Sequence, residues 1–139
     1  MSNDSIEILF VSEWPAEDIV ELYRHGNWWE DEWDSEGIKP LISGSFIFAV
    51  AVLKDKRKAI GMGRVISDSV SDGYIQDLVV HRDFRGKGIG KKILNSLTEE
   101  CKKRGLTWIG LIAEPDTEKF YKSEGFSVMK DHIPMLYGK

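Results

Sequence analysis

The chain has 139 residues, 42% hydrophobic and 30% charged, which is room for one soluble domain around one core and not comfortably for two. Its formal net charge of −4 disfavours a general nucleic-acid binder, which carries a basic surplus. No apolar run approaches the roughly 20 residues of a membrane helix. The opening MSNDSIEILF has neither the basic nor the apolar region of a signal peptide. Cys101 is the one cysteine, so an internal disulfide is excluded and a reducing, cytoplasmic setting is expected.

Ser5 to Val11 alternates around Ile6, Ile8 and Phe10 and predicts a strand. Pro15 suits the first position of a helix that places Ile19, Leu22 and Tyr23 on one face. Residues 26–44 read as irregular chain or short helix. Within them WWEDEWDSE carries five acids and no base. Phe46 to Leu53, Ala59 to Ser67 and Tyr74 to Val80 predict a meander of three strands, joined by the turns KDKRK and DSVSDG. Gly61 and Gly63 mark a place of close backbone packing. The period then changes. Ile89, Ile93, Leu94, Leu97 and Cys101 form a helical stripe that Gly105 ends. A strand is expected over Trp108 to Ala113 and a helix over Pro115 to Glu124. Final strands are expected at Ser127 to Met129 and Pro134 to Tyr137. The order β-α-α-β-β-β-α-β-α-β predicts a mixed α/β (α+β) sandwich, a single domain over residues 1–139.

The most informative stretch is RDFRGKGIGKK, which joins the third meander strand to the long helix. The first amides of a helix lack intrahelical partners and point outward, and with the helix dipole they make an anion site. Glycines let the backbone come close, and Arg85, Lys87 and Lys91 add positive charge. A phosphate-bearing ligand is the natural occupant. The spacing fits neither a Walker loop nor the G-x-G-x-x-G of a dinucleotide site, and no ribose-binding acid follows about 20 residues on.

The longer string VVHRDFRGKGIGKKIL resembles the coenzyme A pyrophosphate loop of the GNAT family of N-acetyltransferases. The family pattern is Arg/Gln-x-x-Gly-x-Gly/Ala, and Arg85, Gly86, Lys87, Gly88, Ile89 and Gly90 satisfy it in full. Some thirty residues on, Phe120-Tyr121-Lys122-Ser123-Glu124-Gly125-Phe126 resembles the F-Y-x-x-x-G-F segment of the same family. The order of elements agrees over nearly the whole chain. The resemblance implies a central, mostly antiparallel sheet flanked by helices, and acetyl-coenzyme A as co-substrate. Its pyrophosphate would lie on residues 85–91, and its pantetheine arm would pair with the backbone of Leu78, Val79 and Val80. A backbone N–H near Val79 would stabilise the oxyanion of acyl transfer. Tyr121 would protonate the leaving thiolate, since a phenol stays protonated at neutral pH.

The base is less legible. QDLVV resembles the E-D-F-F-V stretch of diamine N-acetyltransferases, whose first acid helps deprotonate the amine through water. Gln76 stands at that position here, and an amide cannot take a proton. Asp77 keeps the neighbouring carboxylate, as a buried structural acid or a functional one. Alternation points it away from Gln76 unless a bulge re-aims it. Tyr74 shares the face of Gln76. In the resembling family the segment after the first strand shapes the acceptor site, and here its Trp28, Trp29 and Glu30 suit a cationic or aromatic amine, while Trp29 and Trp33 at i, i+4 fit an amphipathic helix equally. The resemblance favours a small-molecule primary amine as acceptor. A peptide or protein amine, or a non-catalytic sensor of acetyl-coenzyme A, is the alternative. No metal is expected, because His25, His81 and His132 are far apart in sequence and lack metal-site spacing. Cys101 reads as core. Exposed terminal strands such as IPMLY offer an edge through which a homodimer would pair.

Overall fold

The computed structural model describes residues 5–139. Its elements in chain order are β1 (Ile6–Phe10), α1 (Ala16–His25), a 3-10 turn (Ser35–Gly37), α2 (Ile38–Gly44), β2 (Ile47–Leu53), β3 (Lys58–Ser67) and β4 (Asp72–Val80). A second 3-10 turn (Arg82–Phe84), α3 (Ile89–Lys103), β5 (Trp108–Leu111) and α4 (Glu118–Ser123) follow. The five strands form one sheet in sequence order. Neighbours pair antiparallel from β1 to β4, and β5 joins β4 in parallel through the α3 crossover.

The central strand β2, IFAVAVL, is buried at every position. A strand covered on both faces reads as an unbroken apolar run, because both alternating sets of side chains meet protein. Ala49 and Ala51 face α3, with Ile93, Leu94, Leu97 and Cys101. Phe48, Val50 and Val52 face the other way, onto Ile19 and Leu22 of α1 and Ile38 and Ile42 of α2. Small residues on the α3 side let that helix sit close. A Cβ on Gly61 would come within 2.8 Å of Ile93 Cδ1, and one on Gly63 within 3.1 Å of Leu97 Cδ1. Cys101 is fully buried, and burial pushes its thiol pKa up.

The expected architecture holds through α4 and then departs. Ser127 to Met129 and Pro134 to Tyr137 are not strands, and every residue from Ser127 to Lys139 is exposed. Pro134 has no N–H to give to a ladder. Asp131 sits at φ 62° and breaks the extended run. Two boundaries also shift. β5 ends at Leu111, and α4 starts at Glu118 because Asp116 adopts a left-handed φ of 66°.

Candidate active site

The site begins with an irregularity between β3 and β4. Met62 pairs with Val79 and Arg64 with Gln76, so Gly63 alone faces both Asp77 and Leu78. Asp77 takes φ 60°, a left-handed conformation that aspartate tolerates at a cost on the order of 1 kcal/mol. This bulge re-aims the Asp77 side chain. Its Oδ2 accepts from Arg64 Nε at 2.7 Å and from Tyr23 Oη at 2.7 Å. The same guanidinium donates from Nη2 to Gln76 Oε1 at 3.1 Å. Strand alternation alone would have parted Gln76 from Asp77, yet one arginine holds both. Burial, then the Asp77 charge, pushes the Tyr23 phenol well above its usual range, so it acts as a standing donor.

Beyond the bulge the sheet opens. β5 pairs with β4 only from Asp72↔Trp108 to Ile75↔Leu111, and Gln76 to Val80 have no strand on that side. His81 N–H bonds back to Ile60 O on the β3 side. In an antiparallel ladder successive residues alternate sides. Val79, two residues earlier, therefore aims its amide at β3 as well, and Leu78 and Val80 face the opening. The expected donor near Val79 is thus displaced by one residue to either neighbour. The Val79 side chain is buried in the core under α1.

The open edge runs into the glycine turn. Gly86 and Gly88 take φ of 79° and 80°, the left-handed region that only glycine enters freely, and Gly88 is the residue from which α3 starts. The first amides of this 15-residue helix thus meet the end of the open strand. Arg85 acts as a latch. It donates from Nε to Val80 O and from Nη2 to His25 O, each at 2.9 Å. Lys87 Nζ lies 5.7 Å from the centre of the Phe84 ring, and Lys91 Nζ lies 3.9 Å from Glu124 Oε2. A cavity of about 420 Å³ is bounded by Gly86, Gly88, Gly90, Lys91 and Phe120. The Ile89 side chain is buried in the core.

A second cavity, of about 270 Å³, lies further back along β4, between Gln76 and Leu78 on one side and Leu111 and Tyr121 on the other. Trp28 and Tyr74 also line it. Tyr121 is held edge-on between Phe120 and Phe126, with ring centres at 5.1 and 5.9 Å. Burial, then the charge of Glu114, raises its phenol pKa, which keeps it protonated at neutral pH. Trp29 does not line this cavity. Its ring sits 6.2 Å from Tyr23 and 5.6 Å from Trp33. No helix forms over residues 28–34, and Glu30 is exposed outside the cavity. Sequence reasoning passed over Arg64 and Glu114. The signal for Arg64 was present, a single base inside the strand GMGRVI.

His25 and His81, expected apart, lie side by side with ring centres 4.0 Å apart. Glu21 Oε1 is 3.0 Å from His81 Nε2 and 3.8 Å from His25 Nε2, and Lys58 Nζ is 3.0 Å from Glu21 Oε2. The ligand atoms of Glu21, His25 and His81 fall within 4.8 Å of one another. The hydrogen bonds favour a proton network over metal ligation. Nδ1 of His25 accepts from Arg82 Nε, and Nδ1 of His81 accepts from the Asp83 amide. Each Nε2 therefore carries the hydrogen that points at Glu21, whereas metal-bound imidazoles donate from their second nitrogen. The network ties the end of α1 to the start of the glycine turn.

A family model described as "Acetyltransferase (GNAT) domain" matches residues 45–128. The chain belongs to that family. An uncharacterised N-acetyltransferase, ycf52, of Pyropia yezoensis is 37% identical over 98 residues, which are 70% of this chain and 56% of that protein. The chain spans about half the length of the curated relatives it matches. Among solved structures, a GNAT family acetyltransferase of Streptococcus pneumoniae aligns with a TM-score of 0.76 at 26% identity, over 95% of this chain and 96% of that one. The fold is also that of an aminoglycoside acetyltransferase from an uncultured soil sample, solved with sisomicin, with a TM-score of 0.73, 20% identity and 97% of each chain covered. The mixed five-stranded sheet with helices on both faces is the GNAT fold. Among the described residues no helix is long and apolar enough to cross a membrane.

Proposed function

We propose that residues 1–139 work as one N-acetyltransferase domain that moves the acetyl group of acetyl-coenzyme A to a primary amine of a small molecule by direct attack in a ternary complex. The observation that carries this reading is the open edge of β4. It leads at one end onto the glycine-shaped start of α3 and at the other into a cavity walled by Tyr121. Acetyl-coenzyme A supplies an activated acyl thioester. The α3 amides, with Lys87 and Lys91, bind its pyrophosphate. The backbone of Leu78 and Val80 pairs with its arm, and the Leu78 N–H polarises the acyl carbonyl. Tyr121 gives its proton to the leaving thiolate as the new N–C bond replaces the C–S bond, and the proton released by the attacking nitrogen returns through water to the tyrosinate. The amine reaches attack as the neutral base, its proton passing to water. Holding it within near-attack distance accounts for a large share of the rate.

Asp77 and Gln76 orient Arg64 and Tyr23 in this scheme, and neither takes the amine's proton. Their commitment to Arg64 also favours a second reading, a domain that binds acetyl-coenzyme A without turnover. Release of free thiol from acetyl-coenzyme A, followed across alkyl, poly- and aryl amines and short peptides, separates the two. Turnover on one small-amine class is the expected result. Turnover on peptides alone overturns the small-molecule acceptor, and binding without turnover favours the sensor.

The reading extends to a homodimer. The same chain carries the open edge of β5 and an unpaired apolar tail, with Ile133, Met135, Leu136 and Tyr137 between 79% and 102% exposed. An uncovered edge and an apolar segment of this size support pairing of two copies, each tail against the other's edge.

A further inference from the structure

We infer that Glu114 is the cation site of the acceptor, and that the amine this chain takes is positively charged as it binds. The inference rests on the acetyltransferase reading and assigns the substrate class of that same cavity.

Three side chains of the cavity wall offer a carboxyl or amide oxygen: Gln76, Asp77 and Glu114. Gln76 Oε1 already accepts from Arg64, and Asp77 Oδ2 accepts from both Arg64 and Tyr23. A cation at Asp77 would also face the Arg64 guanidinium. The Glu114 carboxylate makes no hydrogen bond or ion pair with any described residue. It lies near enough to Tyr121 for its charge to act on that phenol. It thus brings negative charge into the cavity beside the proposed proton donor.

The local chain explains how an exposed glutamate is held in place. Pro115 restricts Glu114 to extended backbone, just past the end of β5. The Glu114 carbonyl accepts from Thr117 N at 3.2 Å and from Thr117 Oγ1 at 2.7 Å, which closes the turn into α4. The backbone under the carboxylate is therefore fixed, and the same turn sets the start of the helix that carries Tyr121. Trp28 and Tyr74 also line the cavity, and aromatic rings attract a cation. A protonated primary amine satisfies the carboxylate and the ring faces together. An anionic acceptor meets repulsion from Glu114, and a neutral aryl amine uses the rings alone. Glu114 is in this account a specificity-determining residue. It selects positive charge in the cavity that adjoins the open edge of β4.

The test is calorimetric titration of the whole chain with 1,4-diaminobutane and with aniline, for the wild type, Glu114→Gln and Glu114→Asp, with and without bound coenzyme A. An ion pair at an exposed carboxylate accounts for up to about a fivefold difference in affinity. The expected result is diamine affinity about threefold to fivefold weaker in Glu114→Gln and partly restored in Glu114→Asp, with aniline affinity unchanged. Equal diamine affinity in wild type and Glu114→Gln overturns the inference, and so does a wild type that prefers aniline. Thiol release on the same samples reports the parent reading separately. Diamine binding that depends on Glu114 without thiol release keeps the cation site and removes the transferase. Thiol release with an unchanged KM for the diamine in Glu114→Gln does the reverse. Coenzyme A affinity and melting temperature equal to the wild type show that each variant is folded.

Discussion

Tyr121 combines two properties that a proton donor to a thiolate requires. It stands in the wall of the cavity, and burial with the nearby Glu114 charge favours its neutral form. Replacing it with phenylalanine keeps the ring contacts to Phe120 and Phe126 and removes only the hydroxyl. General acid catalysis contributes roughly 10²- to 10⁴-fold, so Tyr121→Phe is expected to lower kcat by about 10²-fold with little change in melting temperature. Unchanged kcat would remove the phenol from the mechanism. Tyr121 was singled out beforehand through its motif, and Asp77 through its carboxylate, but the partners of Asp77 were not. Its role depends on a bulge that lets one arginine bridge Gln76 and Asp77, and a β-bulge leaves no mark in residue type when the bulged residue is an aspartate rather than a glycine. With only 16% and 21% of the two side chains exposed, the Arg64–Asp77 pair is better sheltered from solvent screening than a surface pair.

At the scale of elements, α1 and the glycine turn are joined by His25, His81, Glu21, Arg82 and Arg85. Burial lowers the His25 pKa, and the neighbouring His81 and Arg82 lower it further against the opposing charge of Glu21. A histidine depressed in the folded state must charge more readily when unfolded. Its contribution to stability is present above the ordinary value of about 6.5 and is lost as pH falls through the lower folded value. Glu21 is held below the usual carboxylate range by its hydrogen bond from Lys58, so it stays ionised in this window. Thermal melts from about pH 7.5 to about pH 5.5 should therefore show a decline in the wild type that His25→Gln reduces, since glutamine is a polar side chain of similar reach that does not titrate. Equal slopes would contradict the assignment. The same scale shows why some elements were readable and others not. β2 was visible as an unbroken apolar run, and α3 as a stripe ending in glycine. The meeting of His25 with His81 was not visible, because it depends on how α1 lies across the sheet and no local period encodes that. The Trp29–Trp33 spacing looked helical, but no helix forms there, and the two rings meet edge to face in a turn.

Across the whole molecule, β1 and β5 are the two edge strands of the sheet, and the segment at residues 127–139, which carries Ile133, Met135 and Leu136, is uncovered among the described residues. Periodicity marks that segment as strand-forming, and in the described chain it has no strand beside it. Pro134 and the left-handed Asp131 interrupt the run, which is why the strand expectation failed within one copy. If two copies complete each other's sheets, sedimentation equilibrium will find a dimer in the wild type, and Leu136→Asp, which places a charge in the tail, will shift it to monomer. A wild type that is monomeric at all concentrations would contradict the pairing. The open edge of β4 is a different kind of gap. It ends on backbone amides and glycines, and a bound molecule rather than a strand is its natural complement. That claim is the centre of the account. It is tested most directly by calorimetric titration of acetyl-coenzyme A into the wild type and into Gly88→Glu. Space is open around Gly88, where a Cβ would meet nothing within 4 Å, so the substitution acts through its charge at the helix start and its strain at φ 80°. The account predicts one bound acetyl-coenzyme A per wild-type chain and none detectable in a folded Gly88→Glu. Equal affinity in the two would show that the glycine turn does not hold the pyrophosphate.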